Sequence, residues 1–495
     1  GPFWGVVCPN MYEGIPGTRL RISRRNFLSL AGVTAGAVAL AACGGAAPSP
    51  TASPASASSA APASPVASGS AAPSVAVSAP APGAAASANA KWPLPTGKIT
   101  ITIWHGTDQT MIDLYQNVLV PNYQKLHPNV TINNVAQPDV DNKLLVAVAG
   151  GTAPEIFHTN SVNLQNYMEK GVLEPMPPQA WGYDTVDELI NKAFIPGSTA
   201  GMSFGGKVYA AATQYNASDT FINNRLFKAG GLDPQKDTPK TWDDVVRINK
   251  LITKKDANGQ YLQKGFDWSM TTDQAFAGPL QLLIYQAGGN VLNDDGTPAF
   301  STDAGVKAMQ IFKSVAVDPR TSSATQKSPM QDFADEQIAM KLTGSNTGPF
   351  IETINPQMKG NYTVQLQPQI NPAKPISTVA FFAMVVNAKA SDDAKKVAWD
   401  FEHWILTQPA LWLKTTGQLQ NQADWHSTQE AHDIMPYIDI AFKDMAYGRP
   451  GPLTTHGAEL NVAMSKAAER FLFQNQDPKQ SLDQAADEFT RALKG

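Results

Sequence analysis

The chain has almost no cysteine. Among 495 residues only Cys8 and Cys43 are cysteines, and both precede the region where apolar residues recur at strand or helix spacing. That region therefore has no disulfide framework and no cysteine zinc site, and its own core must hold it together. Charge is scarce too: Asp, Glu, Lys and Arg make up 16% of the residues, and the formal net charge is −4. Nucleic-acid binding needs clustered Lys and Arg to neutralise phosphate, which a mildly acidic chain does not offer. Long hydrophobic runs are missing as well. The stretch from Phe27 to Ala42 is rich in Ala and Gly and falls short of the ~20 residues that span a bilayer. Seven histidines are dispersed, with no His-Glu-x-x-His run, so metal catalysis lacks a ligand set and no metal or cofactor is expected.

What is present falls into three parts. Ser23-Arg24-Arg25-Asn26-Phe27-Leu28 opens a weak apolar segment that closes on Leu40-Ala41-Ala42-Cys43. A basic start, an apolar segment and a small-residue cut site form the grammar of an export signal. Arg24 and Arg25, with Phe and Leu after them, resemble a twin-arginine signal. The box ending in Cys43 resembles that of bacterial lipoproteins. The resemblance implies that residues 1–42 are a signal region and that Cys43 becomes the lipidated first residue, anchoring an exported protein on the extracytoplasmic face of the cell membrane. An ordinary secretory cut site that ends in cysteine is the alternative, and Met11 could be the natural start.

From Gly44 to Ala90 the chain is almost wholly Ala, Ser, Pro and Gly, with no charge and no aromatic residue. Such a segment buries too little apolar surface to offset its ordering entropy, so residues 43–97 are expected to act as a disordered tether. A flexible coil of this length reaches roughly 35–40 Å.

The third part, residues 98–495, alternates strand and helix patterns. Ile99 to Trp104 reads as a strand; Met111, Leu114, Tyr115 and Val118 recur at helical spacing, with Pro121 interrupting or restarting that helix. Val130 to Val135 reads as a second strand, Leu144 to Val148 as a helix stopped at Gly150-Gly151, and Glu155 to Phe157 as a short strand before a polar loop, His158 to Ser161. Thr241-Trp-Asp-Asp244 is a capping box. Val379 to Val386 reads as a strand followed by a helix beyond Ser391, and Ala458 to Leu493 as helical. Alternation of this kind implies an α/β fold with a largely parallel sheet.

Several ordered motifs add to this. Ile99 to Trp104, His127-Pro128-Asn129-Val130, Gly150-Gly-Thr-Ala-Pro-Glu-Ile-Phe157, Gly206-Lys-Val-Tyr209, Phe221 to Phe227, Ala229-Gly-Gly-Leu-Asp-Pro234, Gln286-Ala-Gly-Gly-Asn290 and Ala339 to Gly344 occur in an order and spacing that resemble the sugar-binding family of ABC-importer solute-binding proteins, the maltose-binding-protein-like group. The resemblance implies a two-lobed periplasmic-binding-protein-like α/β fold with a hinge and a ligand cleft between lobes. It places the N-lobe at about 98–213 and 375–423 and the C-lobe at about 216–374 and 435–495. It implies a monomeric receptor, not an enzyme, which captures a carbohydrate and delivers it to permease subunits. A polyol or a glycerol phosphate ester is the alternative solute.

Sugars present hydroxyls that need donors and acceptors, and C–H faces that stack on aromatic rings. The candidate contacts are Trp104, His105 and Asp108 after the first strand; His158, Asn160 and Ser161 after Phe157; and Gln214, Tyr215 and Asn216 at the first crossing between lobes. Further candidates are Trp268, Asn346, Phe381, Phe382, Arg449 and His456. Trp242, Trp399 and Trp404 sit at helical positions and are expected in the core.

Enzyme readings fare less well. Gly201-Met-Ser-Phe-Gly205 matches the nucleophile elbow, but the strand before it and the helix after it are missing from the pattern. Gly201 to Lys207 matches a phosphate loop, but Val208 stands where Ser or Thr would hold Mg²⁺. The rival class is a secreted glycoside-processing enzyme, whose two carboxylates need not be close in sequence.

Overall fold

A computed structural model describes residues 89–268, 276–315 and 329–494. The expectations for Arg24, Arg25, Cys43 and the tether to residue 88 lie outside the described residues. Twelve strands occur among those described: β1 (Ile99–His105), β2 (Val130–Ala136), β3 (Ile156–Asn160), β4 (Ser203–Phe204), β5 (Lys207–Val208), β6 (Ala211–Asn223), β7 (Lys254–Lys255), β8 (Tyr261–Asp267), β9 (Ile338–Gly344), β10 (Tyr362–Gln365), β11 (Ser377–Val386) and β12 (Gly448–Pro450).

The long strand β6 organises the molecule. The main path of hydrogen-bonded strands runs β2-β1-β3-β11-β6-β9-β8-β7, with β10 also on β6 and β12 on β11. The first half of β6 pairs antiparallel with β11, from Ala211 opposite Met384 to Ala217 opposite Val379. Its second half pairs antiparallel with β9, from Ser218 opposite Gly344 to Ile222 opposite Met340. One strand thus passes from one lobe's sheet into the other's, changing partners between Ala217 and Ser218. Parallel pairs flank it on both sides, β1 with β2 and β3, and β8 with β9. Parallel strands need helical crossovers, and those helices cover both sheet faces.

The core follows from that layering. On one side of β6 two apolar clusters cover the two faces: one holds Ile101, Ile103, Tyr115, Ile156, Met384 and Trp399, the other Phe157, Tyr167, Tyr215, Phe381 and Val385. On the far side a cluster around Trp242, Phe266, Leu283 and Phe312 packs on one face, and a smaller one around Phe221, Phe333 and Ile351 on the other.

Local signals account for several element ends. The helix Gln109–Leu114 passes into a wider π turn, Tyr115–Leu119, and restarts at Val120 with Pro121 in its first turn, where a missing N–H is tolerated. Gly151 ends the helix Val140–Gly150 at φ 68°, a left-handed conformation that glycine adopts without strain. Thr241 and Asp244 form the expected capping box on the helix Trp242–Ile252. The C-terminal stretch is two helices, Gly457–Gln474 and Pro478–Ala492, separated at Asn475, which also has positive φ.

Two expectations are corrected here. The sheet is mixed rather than largely parallel, because β11 and β6 run antiparallel to their main neighbours. His158 to Asn160 are strand rather than loop, because β3 pairs with β11 across Phe157–Val385, His158–Met384 and Asn160–Phe382. That partner is over 200 residues away in sequence, beyond the reach of local patterning. Among the described residues no helix is long and apolar enough to cross a membrane.

Candidate functional site

Strand direction decides which residues meet at the crossing. The carboxyl ends of β1 and β3 point to the same side, and β11 and β6 are antiparallel to one another there. Asn160, the beginning of β11 and Ala217 therefore lie at one end of the first lobe's sheet. In the second lobe, β9 ends at Gly344 opposite Ser218, and β8 runs parallel to β9. Both sheets present strand ends to the place where β6 changes partners, which is where open α/β sheets hold ligands.

Register then selects one face. Phe382 lies opposite both Asn160 and Gln214, and Ala380 opposite Asn216, so these five side chains share a face. Phe382, Gln214 and Asn160 are half-buried there, while Asn216 is 6% exposed. Asn160 is held by Asp141, whose Oδ2 accepts from Asn160 Nδ2 at 3.1 Å, while Thr159 and Tyr167 donate to the other oxygen at 3.1 and 3.0 Å. Burial raises the Asp141 pKa against these bonds. Asn216 Nδ2 donates to Gln418 Oε1 at 2.9 Å. The Gln418 side chain follows Gly417, which ends the helix Pro409–Thr416 with φ 68°.

The second lobe closes on the same point. Ser345 Oγ donates to Ala217 O at 3.3 Å, and the Tyr437 hydroxyl donates to Ser345 O at 2.9 Å. A Cβ at Gly417 would sit 3.8 Å from Asn346 O, so Asn346 abuts the segment that carries Gln418. Both Asn216 Oδ1 and Asn346 Oδ1 are buried and receive no hydrogen bond among the described residues. A buried acceptor without a donor costs about 1–3 kcal/mol. Two such acceptors at one crossing fit a solute that brings hydroxyl donors.

Beneath this face lies a neutral aromatic floor. His105 stacks on Tyr115 at 4.9 Å between ring centres, and the Tyr115 hydroxyl lies 2.9 Å from His158 Nε2. Burial, reinforced by His105, pushes the His158 pKa down to about 3, and burial also lowers that of His105. Neither imidazole carries charge at neutral pH. His105 Nδ1 donates to Gly106 O at 2.7 Å. The lining is amide and aromatic, and its chemistry suits an uncharged, hydroxyl-bearing ligand.

The candidate residues separate accordingly. Asn160, Asn216 and Phe382 share the open face, His105 and His158 lie in the floor, and Asn346 abuts the Gln418 segment from the second lobe. Trp104 is half-buried on the opposite side of β1 from His105. Asp108 caps the helix Gln109–Leu114, accepting from Met111 N at 3.1 Å. Ser161 begins the helix Ser161–Glu169, and His456 precedes the helix Gly457–Gln474. Arg449 crosses to the other lobe, donating to Asn290 Oδ1 at 3.2 Å with its guanidinium 4.1 Å from the Tyr285 ring centre.

Two expected platforms are corrected. Trp268 stacks on Trp242 at 4.9 Å and meets Phe266 and Phe312 edge-on at 5.2 and 5.4 Å, so core rings occupy its surroundings. Phe381 is 2% exposed and stacks on Tyr215, because strand alternation sends it to the face opposite Phe382. Gln418 and Asp141 escaped the sequence reading: a lone Gln after a helix stop and a lone Asp on a helix carry no local signal. The Gly201–Gly205 match is not a nucleophile elbow, since Ser203 Oγ donates back to Thr199 O at 2.8 Å and a hairpin of β4 and β5 surrounds it.

A sequence model of the family described as bacterial extracellular solute-binding protein matches residues 119–421. The maltotriose-binding protein of Pyrococcus abyssi is 26% identical over 152 residues, which cover 31% of this chain and 30% of that protein. A probable amino-acid ABC transporter periplasmic-binding protein of Sinorhizobium fredii is 31% identical over 192 residues, 36% of this chain and 40% of that protein. The chain thus spans less than half the length of either relative. The cyclic α-maltosyl-1,6-maltose binding protein of Arthrobacter globiformis superposes with a TM-score of 0.67 at 22% identity, covering 80% of this chain and all (100%) of that one. With the family match spanning more than half of its residues, the chain belongs to the bacterial extracellular solute-binding proteins and has their two-lobed α/β fold.

Proposed function

We propose that this protein is an extracytoplasmic receptor that holds a carbohydrate where β6 crosses between lobes and delivers it to the permease of an ABC importer. The carrying observation is the pair of buried, unsatisfied acceptors, Asn216 Oδ1 and Asn346 Oδ1, one from each lobe, beside the segment that carries Gln418. Asn160, Gln214 and Gln418 add amides that both donate and accept, and Phe382 offers a ring to a sugar C–H face. The His105 and His158 rings beneath are neutral and offer an anionic solute no cation to pair with. Similarity to a maltotriose-binding protein and a cyclic maltosyl-maltose binding protein supports a saccharide. Closure of two lobes surrounds such a solute and distinguishes loaded from empty receptor.

In this reading Cys43 is the lipid anchor, Arg24 and Arg25 belong to the export signal, and the Ala/Ser/Pro segment lets the receptor reach its permease while staying attached. Incubation of purified protein with a panel of mono- and oligosaccharides and polyols tests the core of it. Saturable thermal stabilisation with the sugar recovered intact is the expected result. Turnover of the sugar, or stabilisation only by amino acids, overturns it.

A further inference from the structure

A second cavity, of about 200 Å³, opens on the first lobe away from the crossing. Trp181, Tyr183, Lys192, His403, Gln422 and Trp425 wall it. The extended stretch Gln418 to Gln422 links the two places. Gln418 bonds Asn216 at the crossing, Tyr215 N donates to Leu419 O at 2.6 Å, Ile195 N donates to Asn421 O at 2.9 Å, and Asn421 Oδ1 accepts from Ala212 N at 3.0 Å. The stretch therefore runs back along β6, away from the partner change, and Gln422 pairs with Phe194 at the far end. Four residue steps along this stretch, from Gln418 to Gln422, separate the cavity from the crossing by roughly 13 Å.

The walls are built rather than incidental. Trp181 packs against Trp399 at 5.8 Å and against His403 at 5.2 Å. The turn carrying Trp181 and Tyr183 is braced by Asn89, whose Nδ2 donates to Gln179 O and Ala180 O at 2.7 and 3.1 Å, and by the Lys91–Asp184 ion pair at 2.7 Å. Gln422 is fixed by donating its amide to Leu406 O. Four aromatic rings from three segments, Trp181 with Tyr183, His403 and Trp425, thus meet around one space.

The polar inventory selects the occupant's chemistry. Trp181 Nε1, Trp425 Nε1, the Tyr183 hydroxyl and the His403 ring make no hydrogen bond among the described residues, which leaves indole, phenol and imidazole groups for a ligand. Positive charge is compensated or absent: Lys192 is bound to Glu188 at 2.8 Å, and burial drives the His403 pKa down to about 4, so its ring is neutral. The exposed Asp424 carboxylate on the rim is an acceptor for hydroxyls; anionic ligands find no free counter-charge, whereas a ring with apolar C–H faces and an edge of hydroxyls matches aromatic planes bordered by donors and one acceptor. The volume is below the ~300–1,000 Å³ of drug-sized sites and suits a single sugar ring. We infer that this outer cavity is a second carbohydrate site, which takes one neutral pyranose unit through Trp181, Tyr183, His403 and Trp425. The site stands independently of ligand binding at the crossing.

Saturation-transfer NMR on the full chain with the methyl pyranosides of glucose, galactose and mannose tests this. The expected result is saturable binding of at least one glycoside, weakened about tenfold or more by Tyr183→Ala and by Trp425→Ala, as loss of a stacked ring predicts. Tyr183→Phe keeps the packing and is expected to lose less. Asn216→Ala, at the crossing, is expected to leave this binding unchanged. Absence of saturable binding by all three glycosides overturns the inference. So does binding that Asn216→Ala abolishes while the outer substitutions spare it. Failure of the crossing as a sugar site shows separately, as loss of thermal stabilisation by the oligosaccharide panel with the outer signal intact.

Discussion

Asp219 and Asp444 are both fully buried, the first on β6 just past the lobe change and the second on the helix Ile438–Ala446. Asp444 Oδ2 accepts from Gln367 N at 2.8 Å, in the segment that leads back to β11. Among the described residues Asp219 Oδ1 and Oδ2 and Asp444 Oδ1 have no partner with a donor proton of its own, and the two carboxyl groups lie close enough to hydrogen-bond each other once one is protonated. The other titratable groups around the pair are Lys443, Tyr437, Tyr362 and Glu352, and Lys443 is the one cation among them. Two adjacent carboxylates in such surroundings retain a proton. Burial raises the Asp219 pKa to about 7, and burial with the charge of Asp219 raises that of Asp444.

A carboxyl whose folded pKa lies above its unfolded value stabilises the fold fully at pH below the unfolded value, and that stability is lost as pH rises through the folded one. The window in which the pair acts is pH 6.5 to 8, where the buried Glu402 carboxyl, also raised by burial, adds a decline of the same sign that the Asp219 variant leaves in place. Below it, His158 and His403, with folded pKa values lowered to about 3 and about 4, make stability rise with pH. Above it, Lys341, lowered to about 8 by burial, does the same. Across the window a group titrating near 7 loses about 1 kcal/mol, and a pair that stays protonated throughout loses up to ~2 kcal/mol. Urea denaturation at pH 6.5, 7.2 and 8 reads this directly. Asp219→Asn supplies an amide donor to Asp444 in place of the shared proton, so it is expected to flatten the decline. A wild type whose stability is constant or rises over this window, or an Asn variant with the same decline as wild type, refutes the shared proton.

Phe382→Ala is expected to weaken saccharide affinity about tenfold in calorimetry while leaving the denaturation midpoint nearly unchanged, because the ring is half-buried at the open face. Trp268→Ala should behave in the opposite way, destabilising the protein by about 3–5 kcal/mol through the cavity it leaves, with the affinity of the remaining folded protein unchanged. Cys43→Ser should release the protein into the medium or leave an uncut precursor in cell fractionation; mature protein retained on the membrane would contradict the lipid anchor.

The strand–helix alternation, the helix stops at Gly151 and the capping box at Thr241 were legible locally, since each rests on a few adjacent side chains and one backbone conformation. So was the family, through motifs spread over much of the chain. The candidate site was legible only in part. Asn160, Asn216, Phe382 and Asn346 are brought together, yet the same reading included Phe381 and Trp268, which are packed into cores. Alternation along β11 makes one of two adjacent phenylalanines face outward, but which one depends on the register with β3 and β6. Trp268 follows β8, but its placement depends on Trp242 and Phe312 being there to enclose it.

The sequence by itself determined that this chain is an α/β solute-binding protein whose folded region carries no cysteine, because periodicity, glycine and proline placement, and composition act within a few residues of one another. Tertiary structure alone decided that β6 changes partners between Ala217 and Ser218, and that Gln418 meets Asn216. It also placed two carboxylates 225 positions apart, Asp219 and Asp444, against each other out of water. Those outcomes depend on pairings between distant segments, whose free energy exists only once the sheet has formed and excluded water.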